Sequence, residues 1–120
     1  MSERTRKIES QLKEIVGEEV AALSDPRIHG LVTVTEVRVS PDVSVATVFY
    51  SVLDEDAEEA REGLQSAAGR IQSSVGSQTR LRRTPKLRFR PDPVVEQASK
   101  IEAALREVRE ENRDGDDDEK

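Results

Sequence analysis

The chain has no cysteine and no tryptophan, one histidine, two phenylalanines and one tyrosine in 120 residues. Without cysteine there is no disulfide, no thiolate zinc site and no cysteine nucleophile, a composition that fits a reducing compartment. The lone histidine, His29, falls in a turn before Gly30, where neither a catalytic base nor a metal ligand is expected. A glycine-rich phosphate loop with its lysine and a His-Glu-x-x-His metal motif are both missing. No pair of carboxylates is set among apolar residues that would raise a pKa. These absences give no reason to expect an enzyme, a metal or a cofactor. The few aromatics, Phe49, Tyr50 and Phe89, fall inside strand-like runs and make a poor platform for stacking bases.

No long apolar run is present either. Four of the first seven residues are charged and they lead into no apolar stretch, so neither a signal peptide nor a membrane span is expected, and the cytoplasm is the expected location. With 34% hydrophobic and 37% charged residues, the chain should fold as one domain with a small aliphatic core and modest stability.

What the chain does have is charge sorted along its length. Between residues 61 and 90 stand Arg61, Arg70, Arg80, Arg82, Arg83, Lys86, Arg88 and Arg90 against the single acid Glu62, a local +7 in a chain whose net charge is -6. Like charges gathered on one segment repel unless something negative offsets them, which points to an anionic partner. A solvated face is the plainer alternative. Residues 107–120 carry eight acids and three bases, so most of the acidity belongs to the end of the chain. That end, from 111 to 120, is expected to be a disordered acidic tail following a folded region of residues 1–110.

The apolar pattern orders the elements. Ile8, Leu12, Ile15, Val16, Val20 and Leu23 recur at intervals of three and four, predicting a helix over 4–23 that Pro26 ends. Two β-branched runs, 31–39 and 43–52, flank Ser40-Pro41-Asp42 and predict an antiparallel hairpin. In the first run Val37 and Val39 should point inward, whereas Val32 and Val34 have the opposite parity, which leaves the facing there open. Residues 54–56 offer N-caps, with Glu59 completing a capping box, for a helix over 57–79 whose inward stripe is Ala60, Leu64, Ala67, Ala68, Ile71 and Val75. A straight helix of that length, about 35 Å, outruns a sphere of roughly 31 Å expected for such a domain, so a bend or break is predicted, at Gly69 first, with Gly63 and Gly76 as rivals. Leu87 and Phe89 alternate with Lys86, Arg88 and Arg90 in a short strand, so three cations should project from one side at about 6.6 Å intervals. Charges placed only to keep an edge strand from aggregating are the rival reading. A third amphipathic helix follows Pro93, carried by Val94, Val95, Ala98, Ile101, Leu105 and Val108 to about residue 110.

Helix, strand, strand, kinked helix, strand is the order of a type II KH domain, an α+β fold. The chain also resembles a family through Arg4-x-x-Lys7-Ile8, Asp25-Pro26-Arg27, the run from Val32 through Val34, Glu36, Val37 and Arg38 to Ser40-Pro41-Asp42, Leu64-Gln65-Ser66-Ala67-Ala68-Gly69-Arg70-Ile71, Leu81-Arg82, Pro85-Lys86-Leu87, Phe89 and Asp92. Over residues 4–106 it is similar to bacterial ribosome-binding factor A. The resemblance implies an Ala-x-Gly kink at Ala67, Ala68 and Gly69 between two helices. It also implies a non-enzymatic factor that binds the immature small (30S) ribosomal subunit through 16S rRNA, assists late maturation including that of the 16S 5′ end, and matters in cold growth. No membrane, small-molecule substrate or cofactor is expected, and a monomer is. Arg4, Lys7, Arg70, Arg80, Arg82, Arg83, Lys86, Arg88 and Arg90 are the expected RNA contacts. The alternative is a KH-like module that docks its basic surface on an acidic protein.

Overall fold

The computed structural model describes residues 3–28, 32–52 and 57–118, with side chains described to residue 112. His29, Gly30 and the expected caps at 54–56 lie outside the described residues. The chain runs α1 (Glu3–Ala21), β1 (Val32–Val39), β2 (Val45–Val52), α2 (Ala57–Gln78), β3 (Lys86–Pro91) and α3 (Pro93–Asp118). The three strands form one sheet in the order β1-β2-β3, antiparallel between β1 and β2 and parallel between β2 and β3. A parallel neighbour needs a crossover, and α2 supplies it.

α1 packs on β1 and on α2, and α2 packs on β3, so both helices cover one face of the sheet. Leu12, Val16, Val48, Leu64, Ile71 and Val75 are fully buried between the layers. Each lies on the helical or strand parity that the apolar spacing picks out. The stripe of α2 differs at one place: Gly63 is buried in it and Ala68 is only half-buried. A Cβ at Gly63 would lie 2.8 Å from Cγ1 of Ile28, so the missing side chain lets the α1–β1 loop lie against the helix.

The facing of β1 is settled by a register shift between Val34 and Glu36. Thr35 is the extra residue, and one extra residue moves every following side chain to the other face. Val32 and Val34 therefore pack against the core together with Val37 and Val39, although their parities differ in the sequence.

Of the bend or break expected in α2, the break is absent. The helix runs unbroken through Ala67, Ala68 and Gly69 from Ala57 to Gln78, and the two-helix arrangement implied by the resemblance is replaced by one element. A sphere is the wrong envelope for this chain: the molecule is flat and elongated, 70 × 35 × 16 Å, and a straight helix of about 33 Å does not outrun it. α3 also exceeds its expected end near 110 and continues as helix to Asp118. Its side chains from 93 to 112 are exposed, including the apolar Val94, Ile101, Leu105 and Val108.

Candidate nucleic-acid interface

β3 places its side chains as the alternation predicts. Leu87 is buried and Phe89 packs against the core, while Lys86, Arg88 and Arg90 are exposed on the outer face of the sheet, away from α1 and α2. In register beside them lie Val45 with Lys86, Thr47 with Arg88 and Phe49 with Arg90. On the far side of β2, Arg38 is opposite Thr47 and Glu36 opposite Phe49. Arg38 is neutralised: its guanidinium lies 2.6 Å from Glu36 Oε1 and 3.9 Å from Glu9 Oε1. The uncompensated charge on the sheet is therefore the β3 column. Phe49, half-buried on this outer face next to Arg90, is not among the contacts expected from the sequence; the parity of β2, with Ala46, Val48 and Tyr50 inward, is the signal that places it there.

A second group forms at the end of the sheet where β3 begins. The backbone N–H of Lys86 donates to Ser44 O at 2.9 Å, which ties the start of β3 to the β1–β2 turn. Arg4 from the first turn of α1 and Arg82 and Arg83 from the α2–β3 linker line one cleft of about 390 Å³ beside that turn. The linker is held by Pro85, which is fully buried, and by a close approach of Thr84 to α2. A Cβ at Gly76 would lie 2.8 Å from Thr84 Oγ1. Lys7 is exposed one turn beyond Arg4 on α1, and Arg80 is exposed near the start of the linker.

Arg70 does not join these groups. It borders a separate depression with Ser66, Ala67 and the 24–27 loop. That loop is braced by a bidentate pair in which Arg27 Nε and Nη2 donate to the Asp25 carboxylate at 3.0 and 2.7 Å, with Arg27 N adding a third bond at 2.9 Å. The side-chain bonds from Arg27 hold the Asp25 carboxyl down at about 2 and raise the guanidinium in turn. Gly69 lies on the exposed side of α2, where an added Cβ would meet nothing within 4 Å. The fold itself therefore has no steric need for a glycine at this position.

All nine cations expected from the sequence to contact RNA are exposed, and among the described residues none forms an ion pair. Arg27, Arg38 and Arg61, by contrast, are each held by a carboxylate. Among the described residues there is no cluster of three His, Asp or Glu able to hold a metal ion, and no helix is long and apolar enough to cross a membrane.

A two-layer α+β body of KH-like type, with one sheet face left open and unpaired cations along its β3 edge, defines a small nucleic-acid-binding class of protein. Residues 4–105 match the family model described as ribosome-binding factor A. The chain is 71% identical over 113 residues to ribosome-binding factor A of Rubrobacter xylanophilus, covering 93% of each protein. The crystal structure of ribosome-binding factor A from Thermus thermophilus superposes with a TM-score of 0.68 at 39% identity, covering 72% of this chain and 93% of that one. A homology model of the Thermus factor fitted into the cryo-EM map of its complex with the 30S subunit gives 0.62 at 40% identity, covering 70% and 90%. The chain belongs to the ribosome-binding factor A family.

Proposed function

We propose that the protein is a non-enzymatic assembly factor that binds the free or immature 30S subunit through phosphates of 16S rRNA and assists late maturation, including that of the 16S 5′ end. The observation that carries this reading is the set of exposed cations on β3, the α2–β3 linker and the head of α1, none of which forms an ion pair among the described residues. Gathering like charges on one small body costs mutual repulsion, and a polyanion offsets that cost. The complex of the Thermus relative with the 30S subunit supports the choice of polyanion.

Contacts made by exposed guanidinium groups and a sheet with one half-buried Phe read phosphate positions and shape rather than base sequence. Folded rRNA suits such a surface. The protein works as a monomer in the cytoplasm, needs no cofactor, and supports growth in the cold. The RNA-binding body lies within residues 1–110, and the acids after it continue helix α3 to Asp118.

Sedimentation with 30S subunits through sucrose, before and after RNase treatment, tests the reading. Co-sedimentation that RNase abolishes is the expected result. Binding that survives complete digestion of the rRNA would instead identify an acidic protein as the partner.

A further inference from the structure

We propose that the cleft between the head of α1, the β1–β2 turn and the α2–β3 linker is a phosphate-holding subsite, in which Arg4, Arg82 and Arg83 grip one phosphate group of the RNA chain. The inference rests on the RNA-binding reading above and assigns this cleft a different task from the β3 column. Along β3 the cations stand at about 6.6 Å intervals on an open face, each suited to a different phosphate. In the cleft, three arginines from two separate parts of the chain, the head of α1 and the α2–β3 linker, line a single concavity of about 390 Å³.

Asp42, the one acid among the described residues lining this cleft, sets one negative charge against three positive ones and forms no ion pair with the arginines. The Asp42 carboxylate accepts from Ser44 Oγ at 2.7 Å, from Ser40 Oγ at 2.9 Å and from Ser44 N at 3.2 Å. These bonds, all to Oδ1 and that from Ser44 foremost, lower its pKa, so the carboxylate is charged and the cleft keeps a net positive charge from its three arginines. Each arginine keeps a planar fork of donors that matches phosphate oxygens, and none has an ion pair among the described residues.

The wall opposite the arginines is fixed at some expense. Val43, which also lines the cleft, has φ of 59°, a conformation rare for a β-branched residue and persisting only where the surroundings over-determine it. Here they do: Val43 N donates to Ser40 O at 2.8 Å and Ser40 N to Val45 O at 2.9 Å, while Val45 N donates to Ser40 Oγ at 3.0 Å. The turn is thereby a rigid side of a preformed anion site rather than a loop that adapts.

The group held is a phosphate of RNA, internal or terminal; both present anionic non-bridging oxygens to the arginine forks. The test measures 30S affinity for Arg4→Gln, Arg82→Gln and Arg83→Gln, singly and in pairs, with Arg88→Gln as an independent reference. Each cleft variant should lose roughly tenfold, as expected for a charge-assisted hydrogen-bonding group. Pairs within the cleft should lose little more than the worse single variant, because they serve one phosphate. A cleft variant combined with Arg88→Gln should show the product of the two losses.

Multiplicative losses within the cleft, or cleft variants that bind like the parent, would overturn the subsite while leaving RNA binding intact. A parent protein whose affinity ignores salt would instead overturn the RNA-binding reading itself. Thermal melts check folding, and Arg82→Lys, which keeps the charge but not the fork, replaces any Gln variant that melts early; partial recovery is expected. Phosphatase treatment of the subunits distinguishes the sources. A fall in parent affinity to the level of the cleft variants marks a terminal phosphate, unchanged affinity an internal one, and both outcomes support the cleft only if the coupling within it is seen.

Discussion

The hydroxyl of Thr35 donates to the Asp92 carboxylate across 2.6 Å. Thr35 is the extra residue of the register shift in β1, and Asp92 precedes α3, so one bond joins the irregular point of the first strand to the start of the last helix. Asp92 also accepts from Val94 N at 2.9 Å, as an N-cap does, and its own N–H donates to Tyr50 O at 2.8 Å. The direction in which α3 leaves the sheet is set here, since its side chains from 93 to 112 are exposed.

Asp92→Asn should loosen the first turn of α3, and its effect should depend on pH. The bond from Thr35, ahead of that from Val94, lowers the Asp92 pKa below its ordinary 3.8. A carboxyl whose folded pKa is depressed stabilises fully above the unfolded value, and that contribution disappears as pH falls through the folded one. Hydrogen exchange at Val94 and Glu96 should therefore be faster in Asp92→Asn than in the parent at neutral pH, with the two converging in strong acid. Equal exchange at neutral pH would remove the anchoring role.

Gly69→Ala and Gly76→Ala should move stability in opposite directions. Nothing lies within 4 Å of an added methyl at Gly69, so alanine there should stabilise by about 1 kcal/mol through helix propensity. At Gly76 the methyl would meet Thr84 Oγ1 at 2.8 Å and push the linker off the helix, lowering the melting temperature. If RNA approaches the bare backbone at Gly69, the stabilised variant should also bind 30S subunits more weakly, a separation that thermal melts and binding assays read together.

Leu64 is fully buried where α2 meets the rest of the core. Leu64→Ala should cost about 2–5 kcal/mol, which in a small domain approaches its entire stability. Urea titration should show a large fall in midpoint, and a change under about 1 kcal/mol would mean that the layer is not closed over this side chain.

Much of this fold is legible in the chain, for identifiable reasons. The spacing of Ile8, Leu12 and Val16, and the alternation of Leu87 with Lys86 and Arg88, encode burial directly because each period maps onto one face. The inward facing of Val32 and Val34 is not legible, since a single inserted residue reverses parity without leaving a composition signal. The unbroken α2 escapes the sequence reading because glycine's cost in a helix is about 1 kcal/mol, too little to break an element that buries Leu64, Ile71 and Val75. The grouping of Arg4 with Arg82 and Arg83 depends on where α1 begins relative to a distant linker, and the separation of Arg70 from them likewise belongs to tertiary structure alone.

Truncation after Val108 should leave the melting temperature unchanged, because the α3 side chains described beyond that point are exposed. It also removes most of the acids of residues 107–120, so non-specific affinity for RNA should rise, measured with an unrelated duplex at low salt. Unaltered non-specific affinity would show that the acidic end does not screen the basic surface.

The salt dependence of 30S affinity is the most direct measurement of the central claim. With exposed cations on β3 and in the cleft meeting rRNA phosphates, the logarithm of the association constant should fall linearly with the logarithm of salt concentration, by about 0.7 to 0.9 per phosphate contact. Arg88→Glu with Arg90→Glu should reduce both the affinity and the slope. Affinity that stays constant across the salt range, or a slope untouched by those reversals, would contradict the account.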